Sequence, residues 1–183
     1  MPLWLARHAQ AVVAPGVCYG MLDLAADAAA TRLAAASLAL ALPPKLAVAV
    51  SPLRRCRQLA DVLSSLRPDL AARVDPRLRE MDFGTWEGRT WRDIGETAVT
   101  AWTDDFARHR PGGGESVESV MRRVGQALDE IDGRPTLWIT HAGVIRAASL
   151  LARGERRIAR AMDWPAEAPA CGGWTLLHPP PAS

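Results

Sequence analysis

Leu3-Trp4-Leu5-Ala6-Arg7-His8-Ala9-Gln10 decides how this chain folds: an apolar run of strand character carries an Arg-His pair directly into a turn. A strand ending this way points both side chains out of the end of its sheet, and in open α/β folds ligands bind outside the carboxyl ends of the strands. Thr136-Leu137-Trp138-Ile139-Thr140 repeats the pattern, running apolar and then delivering His141-Ala142-Gly143 ahead of a helix-like Val144-Ile145-Arg146-Ala147-Ala148. If these strands are neighbours, two imidazoles far apart in sequence face each other across one pocket.

Working outward from the two segments, strands and helices alternate. A loop of small and turn-forming residues follows the first strand, from Ala14-Pro15-Gly16 to Asp23, and Asp27 then caps an alanine-rich helix that ends before Pro43-Pro44. Leu46 to Val50 reads as a buried strand, and Pro52 as the first turn of a helix running to about Leu66. Arg73-Val74-Asp75-Pro76 reads as a connection into Leu78-Arg79-Glu80-Met81-Asp82-Phe83-Gly84. From about residue 85 to 114 a stretch with Trp86, Trp91 and Trp102 but weak periodicity reads as a lid-like helical insertion over the sheet, closed by Pro111-Gly112-Gly113-Gly114. Ser116 caps a helix from Val117 to about Ile131, and Gly173 to His178 forms a last edge strand before Pro179-Pro180-Pro181, a tail unable to stay in a sheet. The alternation predicts one α/β domain over residues 1–183, a three-layer α/β/α sandwich around a mostly parallel sheet.

Composition bounds the function classes. A chain of 183 residues is long enough for one well-buried core, and 49% apolar with 23% charged residues is ordinary for a globular protein. A net charge of +2 and scattered arginines give no basic face for nucleic acid. The longest mostly apolar stretch, Leu33 to Leu42, is far shorter than the ~20 residues of a membrane span, and a strand begins at once with no signal-peptide pattern ahead of it. Cys18, Cys56 and Cys171 are an odd number without metal-ligand spacing, which predicts a reducing, cytoplasmic setting. A monomer or homodimer acting on a small molecule is expected.

The residue types at the strand ends specify a chemistry. Histidines with arginines suit a phosphoryl dianion, because the guanidinium fork matches phosphate oxygens. Arg7 is one clamp. Arg55, in Ser51-Pro52-Leu53-Arg54-Arg55, is the other, with Arg54 and Arg57 as rivals; adjacent helix positions point about 100° apart, so only one of Arg54 and Arg55 faces inward. An imidazole among fixed positive charges, one nitrogen tied by a hydrogen bond, is a good nucleophile toward phosphorus. Glu80, ahead of an irregular glycine-containing turn, is the candidate general acid, with Asp82 and Glu87 as competitors. Backbone N–H groups of Ala142 and Gly143 add to an anion pocket. Cys18, Tyr19 and Gly20 either line its entrance or pack. The same alternatives hold for the tryptophans, which stack on an aromatic substrate or fill the core. Gly112-Gly113-Gly114 is not followed by Lys-Ser/Thr, so it reads as a hinge and not as a nucleotide loop.

Five segments in order, Arg7-His8-Ala9, Ser51 to Arg55, Leu78 to Gly88, Gly114-Glu115-Ser116 and His141 to Arg146, resemble the motifs of the histidine phosphatase superfamily, in its phosphoglycerate mutase-like branch. The resemblance implies a metal-free, cofactor-free transfer in which His8 becomes a phosphohistidine, Glu80 serves as acid and then base, and Arg7, Arg55 and His141 hold the phosphoryl oxygens. Two departures stand out. Ala9 replaces the usual glycine, which at positive φ would cost about 1 kcal/mol, and Ala11 and Ala14 replace polar residues. Gly16 to Asp23, Asp82 to Gly88 and the compact length resemble the α-ribazole phosphatases of cobalamin biosynthesis. The absence of long insertions favours hydrolysis over mutase action, with a broad phosphatase or a mutase-like enzyme as the alternative. A non-catalytic phospho-ligand binder and a metalloenzyme using His8, His141 and carboxylates are the readings of other classes; the arginines oppose the latter.

Overall fold

The computed structural model describes residues 2–179, so Pro180 and Pro181 of the expected tail lie outside the described residues. Among those residues five strands form one sheet in the order β3-β2-β4-β1-β5. They are β1 (Leu3–Arg7), β2 (Ala47–Val50), β3 (Ala72–Val74), β4 (Thr136–Thr140) and β5 (Trp174–Leu177). All neighbouring pairs are parallel except β1 with β5, so the α/β, mostly parallel expectation holds. The two histidine-bearing strands are neighbours, paired from Leu3↔Thr136 to Arg7↔Thr140.

Strand alternation then sorts the side chains into two cores. Leu3, Leu5 and Trp138 face α5 (Val117–Asp129) and α6 (Ala142–Ala152). Ala6, Val48, Val50, Leu137 and Ile139 face α1 (Ala28–Ala41) and α2 (Arg54–Leu66). Truncating any fully buried leucine here, such as Leu59 or Leu137, is expected to cost about 2–5 kcal/mol.

Both expected caps form. Asp27 Oδ1 accepts from Ala30 N at 2.7 Å to start α1, and Ser116 Oγ accepts from Ser119 N at 3.2 Å to start α5. The second helix begins later than expected: Leu53 is its N-cap and Pro52 lies ahead of it in the turn. Arg73 and Val74, read as part of a connection, lie instead in the edge strand β3, whose three residues are all exposed, so no apolar run announced it. Residues 85–114, expected as a helical insertion, contain two short helices, α3 (Trp91–Ile94) and α4 (Glu96–Asp104), divided at Gly95 with φ 88°.

Gly112-Gly113-Gly114 does not behave as a hinge in this fold. A Cβ on Gly114 would collide with Asp82 O, and one on Gly112 with Phe83 O, while Gly84 meets Gly112 in the same way. The glycines let two backbone segments press together, which fixes the root of the insertion against the segment after Glu80.

Candidate active site

Because β1 and β4 are parallel and in register, the residues after them, His8 and His141, emerge side by side. Their ring centroids are 5.1 Å apart, and His8 N donates to Thr140 O at 3.1 Å. His8 is 2% exposed. Its Nδ1 lies 2.7 Å from Ala9 O, which can only accept, so Nδ1 carries the proton and Nε2 keeps its lone pair. Arg55 Nε donates to that Nε2 at 3.3 Å. Burial pushes the His8 pKa down to about 3, aided by the charges of Arg55 and Arg7 and opposed by the bond to Ala9. The imidazole is therefore neutral and nucleophilic at ordinary pH. Ala9 is fully buried and does not adopt a positive φ, so the strain foreseen there does not arise.

Arg55 settles the choice among the arginines: it is fully buried, whereas Arg54 and Arg57 are exposed. Its guanidinium is aimed by Gly20 O at 2.6 Å and Leu22 O at 2.8 Å and lies 5.4 Å from the Tyr19 ring centroid. Glycine is required at position 20, where a Cβ would strike Met81 O. Tyr19 is half-buried beside the site; burial raises its phenol pKa, with Cys171 and Glu80 adding and Arg55 and Arg7 opposing. Cys18, by contrast, is packed with Trp86 and Ile94 at 1% exposure, and its expected place at the entrance is corrected to a core role. Arg7 donates from Nη1 to Pro169 O at 3.0 Å, while its buried Nε has no partner among the described residues.

His141 is fully buried. Its Nε2 is 2.8 Å from Ser51 Oγ and 3.4 Å from Cys56 Sγ. Burial first, then the charges of Arg55, His8, Arg123 and Arg7, holds its pKa well below the ordinary histidine range. Ser51 and Cys56 were not foreseen as its partners. Ser51 stood in a quoted motif, but only the fold shows what its hydroxyl touches.

Glu80 reaches the start of α6. Its Oε1 accepts from Met81 N at 3.0 Å and its Oε2 from Gly143 N at 3.2 Å. This corrects the expectation for Gly143: its N–H serves the carboxylate, and a Cβ there would strike Glu80 Oε1. Ala142, the first residue of α6, is buried at the same corner. Arg123, read as one residue of an ordinary helix, holds the Glu80 segment. It is paired with Glu115 at 2.8 Å and donates to Arg77 O at 2.6 Å, Arg79 O at 2.8 Å and Glu80 O at 3.2 Å. The rival acids are occupied elsewhere: Glu87 accepts from the N–H groups of Met21, Leu22 and Phe83, and Asp82 from Gly84 N.

Beyond Glu80 opens a cavity of about 580 Å³ whose wall includes Phe83, Trp102, Phe106, Arg146 and Trp164. Trp86 and Trp91 lie outside that wall, meeting each other edge to face with centroids 6.3 Å apart. Among the described residues no three His, Cys, Asp or Glu side chains are grouped to hold a metal ion.

The model of the histidine phosphatase superfamily (branch 1) matches residues 3–168. The adenosylcobalamin/alpha-ribazole phosphatase of Salmonella typhimurium is 32% identical over 126 residues, 65% of this chain and 57% of that protein, so the match spans little more than half of that relative. The glucosyl-3-phosphoglycerate phosphatase of Mycolicibacterium vanbaalenii is 32% identical over 161 residues, 79% of this chain and 71% of that protein. A solved mycobacterial glucosyl-3-phosphoglycerate phosphatase superposes with a TM-score of 0.79 at 30% identity, covering 96% of this chain and 88% of its own. The structure of such an enzyme complexed with VO3 gives 0.81 at 29% identity over 97% and 90%.

Proposed function

The chain belongs to branch 1 of the histidine phosphatase superfamily, and from that premise we propose that it hydrolyses phosphate monoesters of small molecules without a metal ion, through a phosphohistidine on His8. The observation that carries this reading is the His8 ring itself, with Nδ1 bonded to Ala9 O and Nε2 unprotonated under the Arg55 guanidinium. In the first step, with Glu80 entering protonated from solvent, the Nε2 lone pair forms an N–P bond as the P–O bond to the alcohol breaks, and Glu80 gives that proton to the departing oxygen. In the second, Glu80 takes a proton from water, whose oxygen attacks phosphorus and releases His8 and inorganic phosphate. Arg7, Arg55 and His141 hold the oxygens on which charge develops.

The substrate we propose is α-ribazole 5′-phosphate, within cobalamin biosynthesis in the cytoplasm. The Salmonella relative carries that activity in its name, and three unpaired cysteines suit a reducing compartment. The mycobacterial relatives favour a glucosylated phosphoglycerate as the second reading. Phosphate release in EDTA from α-ribazole 5′-phosphate, 3-phosphoglycerate and p-nitrophenyl phosphate decides the matter. We expect turnover of the ribazole ester, reduced at least a thousandfold in His8→Ala. Equal turnover of every ester means a broad phosphatase, and release no faster than the variant's means a binder.

A further inference from the structure

In-line transfer places the leaving alcohol opposite His8, on the side of the acid that protonates it. The alcohol must therefore occupy the space beyond Glu80, which is the cavity of about 580 Å³. That wall is unlike the arginine-rich phosphate pocket. Trp102 stacks on Phe106 with centroids 5.5 Å apart, and Phe106 meets Trp164 edge-on at 5.9 Å. Phe83 completes the aromatic surface, and exposed Met162 stands at the rim.

Two N–H groups on residues of this wall are buried without an acceptor among the described residues, Trp102 Nε1 and Arg146 Nε. Among the described residues the Arg146 guanidinium is bonded through Nη2, to Ala166 O at 3.1 Å. Buried donors left unpaired cost free energy that a ligand acceptor recovers. A leaving group made of sugar or polyol alone would bring many hydroxyls to a surface with few polar partners and leave them unsatisfied, whereas a riboside can present its base. A flat ring buries its faces on the aromatic wall and offers an acceptor atom at its edge.

Resting on the phosphatase reading above, we infer that this cavity is the alcohol subsite, that it takes a planar aromatic group bearing a hydrogen-bond acceptor, and that Trp102 and Arg146 determine that specificity. Trp102 comes from α4 and Arg146 from the second turn of α6, so the subsite joins the segment after Glu80 to the helix that carries Gly143.

Trp102→Phe and Arg146→Met each delete a donor while keeping bulk. The wild type is expected to turn over α-ribazole 5′-phosphate better than phenyl phosphate, which has no ring acceptor, and phenyl phosphate better than glycerol 2-phosphate. Each variant should lose about tenfold in kcat/KM on the first ester, mainly through KM, stay within twofold on phenyl phosphate, and keep its inhibition by inorganic phosphate. An equal loss on all three esters, or a wild type preferring glycerol 2-phosphate, overturns the assignment. If no ester is hydrolysed, the phosphatase reading fails and the subsite is judged by quenching of tryptophan fluorescence with the dephosphorylated benzimidazole riboside. Quenching that weakens in both variants supports the subsite; none in the wild type overturns it.

Discussion

At His8, burial works against the proton while a hydrogen bond to Ala9 O fixes which nitrogen keeps it, and the same two facts make the proposed nucleophile a stability determinant. Below the ordinary histidine pKa near 6.5 the unfolded chain takes up protons that the folded chain excludes from His8 until about pH 3. Stability from this group is therefore complete above about pH 6.5 and falls as pH drops through that window. Fully buried His141, also lowered, acts in the same direction. At pH 5 the His8 contribution alone is about 2 kcal/mol, because each pH step of one below 6.5 removes about 1.36 kcal/mol. The paired carboxylates do not confuse this window, because Asp75, Asp129 and Glu130 are lowered and lose their stabilisation only in the carboxylate range and below. We expect His8→Gln to shrink the fall in Tm between pH 7.5 and pH 5 by roughly 4–8 °C. An unchanged fall in thermal unfolding followed by circular dichroism would mean that His8 is protonated in the folded state.

At the scale of elements, the backbone of Glu80, the proposed acid, is held from α5, and that arrangement could not be read from the sequence. Arg123 is flanked by Arg122 and reads as part of a solvated helix face, yet it is 7% exposed and bonds the carbonyls of Arg77, Arg79 and Glu80 besides Glu115. Gly114-Glu115-Ser116 was legible as a motif, but its meaning, an anion for Arg123 next to a helix cap, needs the tertiary fold. The same holds for β3, a three-residue edge with no apolar signal, and for the glycine run, whose role is close packing. What could be read were the elements whose apolar pattern and chemistry agree: β1 and β4 with their histidines, and α1 and α5 with their caps. Arg123→Met removes the 2.8 Å partner of the largely covered Glu115 carboxylate, leaving it only Arg79 at 3.9 Å, which costs up to about 3–5 kcal/mol, and frees the backbone of Glu80. Urea unfolding should show that loss. In the folded fraction kcat should drop more than tenfold with inhibition by phosphate retained; a stability loss without a kcat effect would reduce Arg123 to a structural role.

Across the whole molecule, one end of the sheet collects every charged group the proposed reaction uses. Two parallel strands end in histidines, α2 brings Arg55 inward, and the start of α6 receives Glu80. The return of the chain into antiparallel β5 closes the fourth side, for Gly172 N donates to His8 O at 2.9 Å, Gly173 O accepts from Arg7 N at 2.9 Å, and Pro169 O holds the Arg7 side chain. This C-terminal segment lies beyond residue 168, where the family match ends, and no feature of Ala166 to Gly173 pointed to it in the sequence. The gathered end carries positive charge beyond its anion: Arg7 and Arg55 stand against Glu80, with Arg7 Nε unpartnered among the described residues. A tetrahedral or trigonal oxyanion that binds only the folded state must therefore stabilise it. At a hundred times its Kd, vanadate should add about 2.7 kcal/mol and raise Tm by roughly 5–10 °C. EDTA should leave that rise intact, because the cationic side chains supply the attraction. Arg7→Met should abolish it at the same vanadate concentration, by removing the donor that waits for the oxyanion. A full rise retained in Arg7→Met would place the anion away from β1, and the site built on the ends of β1 and β4 would have to be given up.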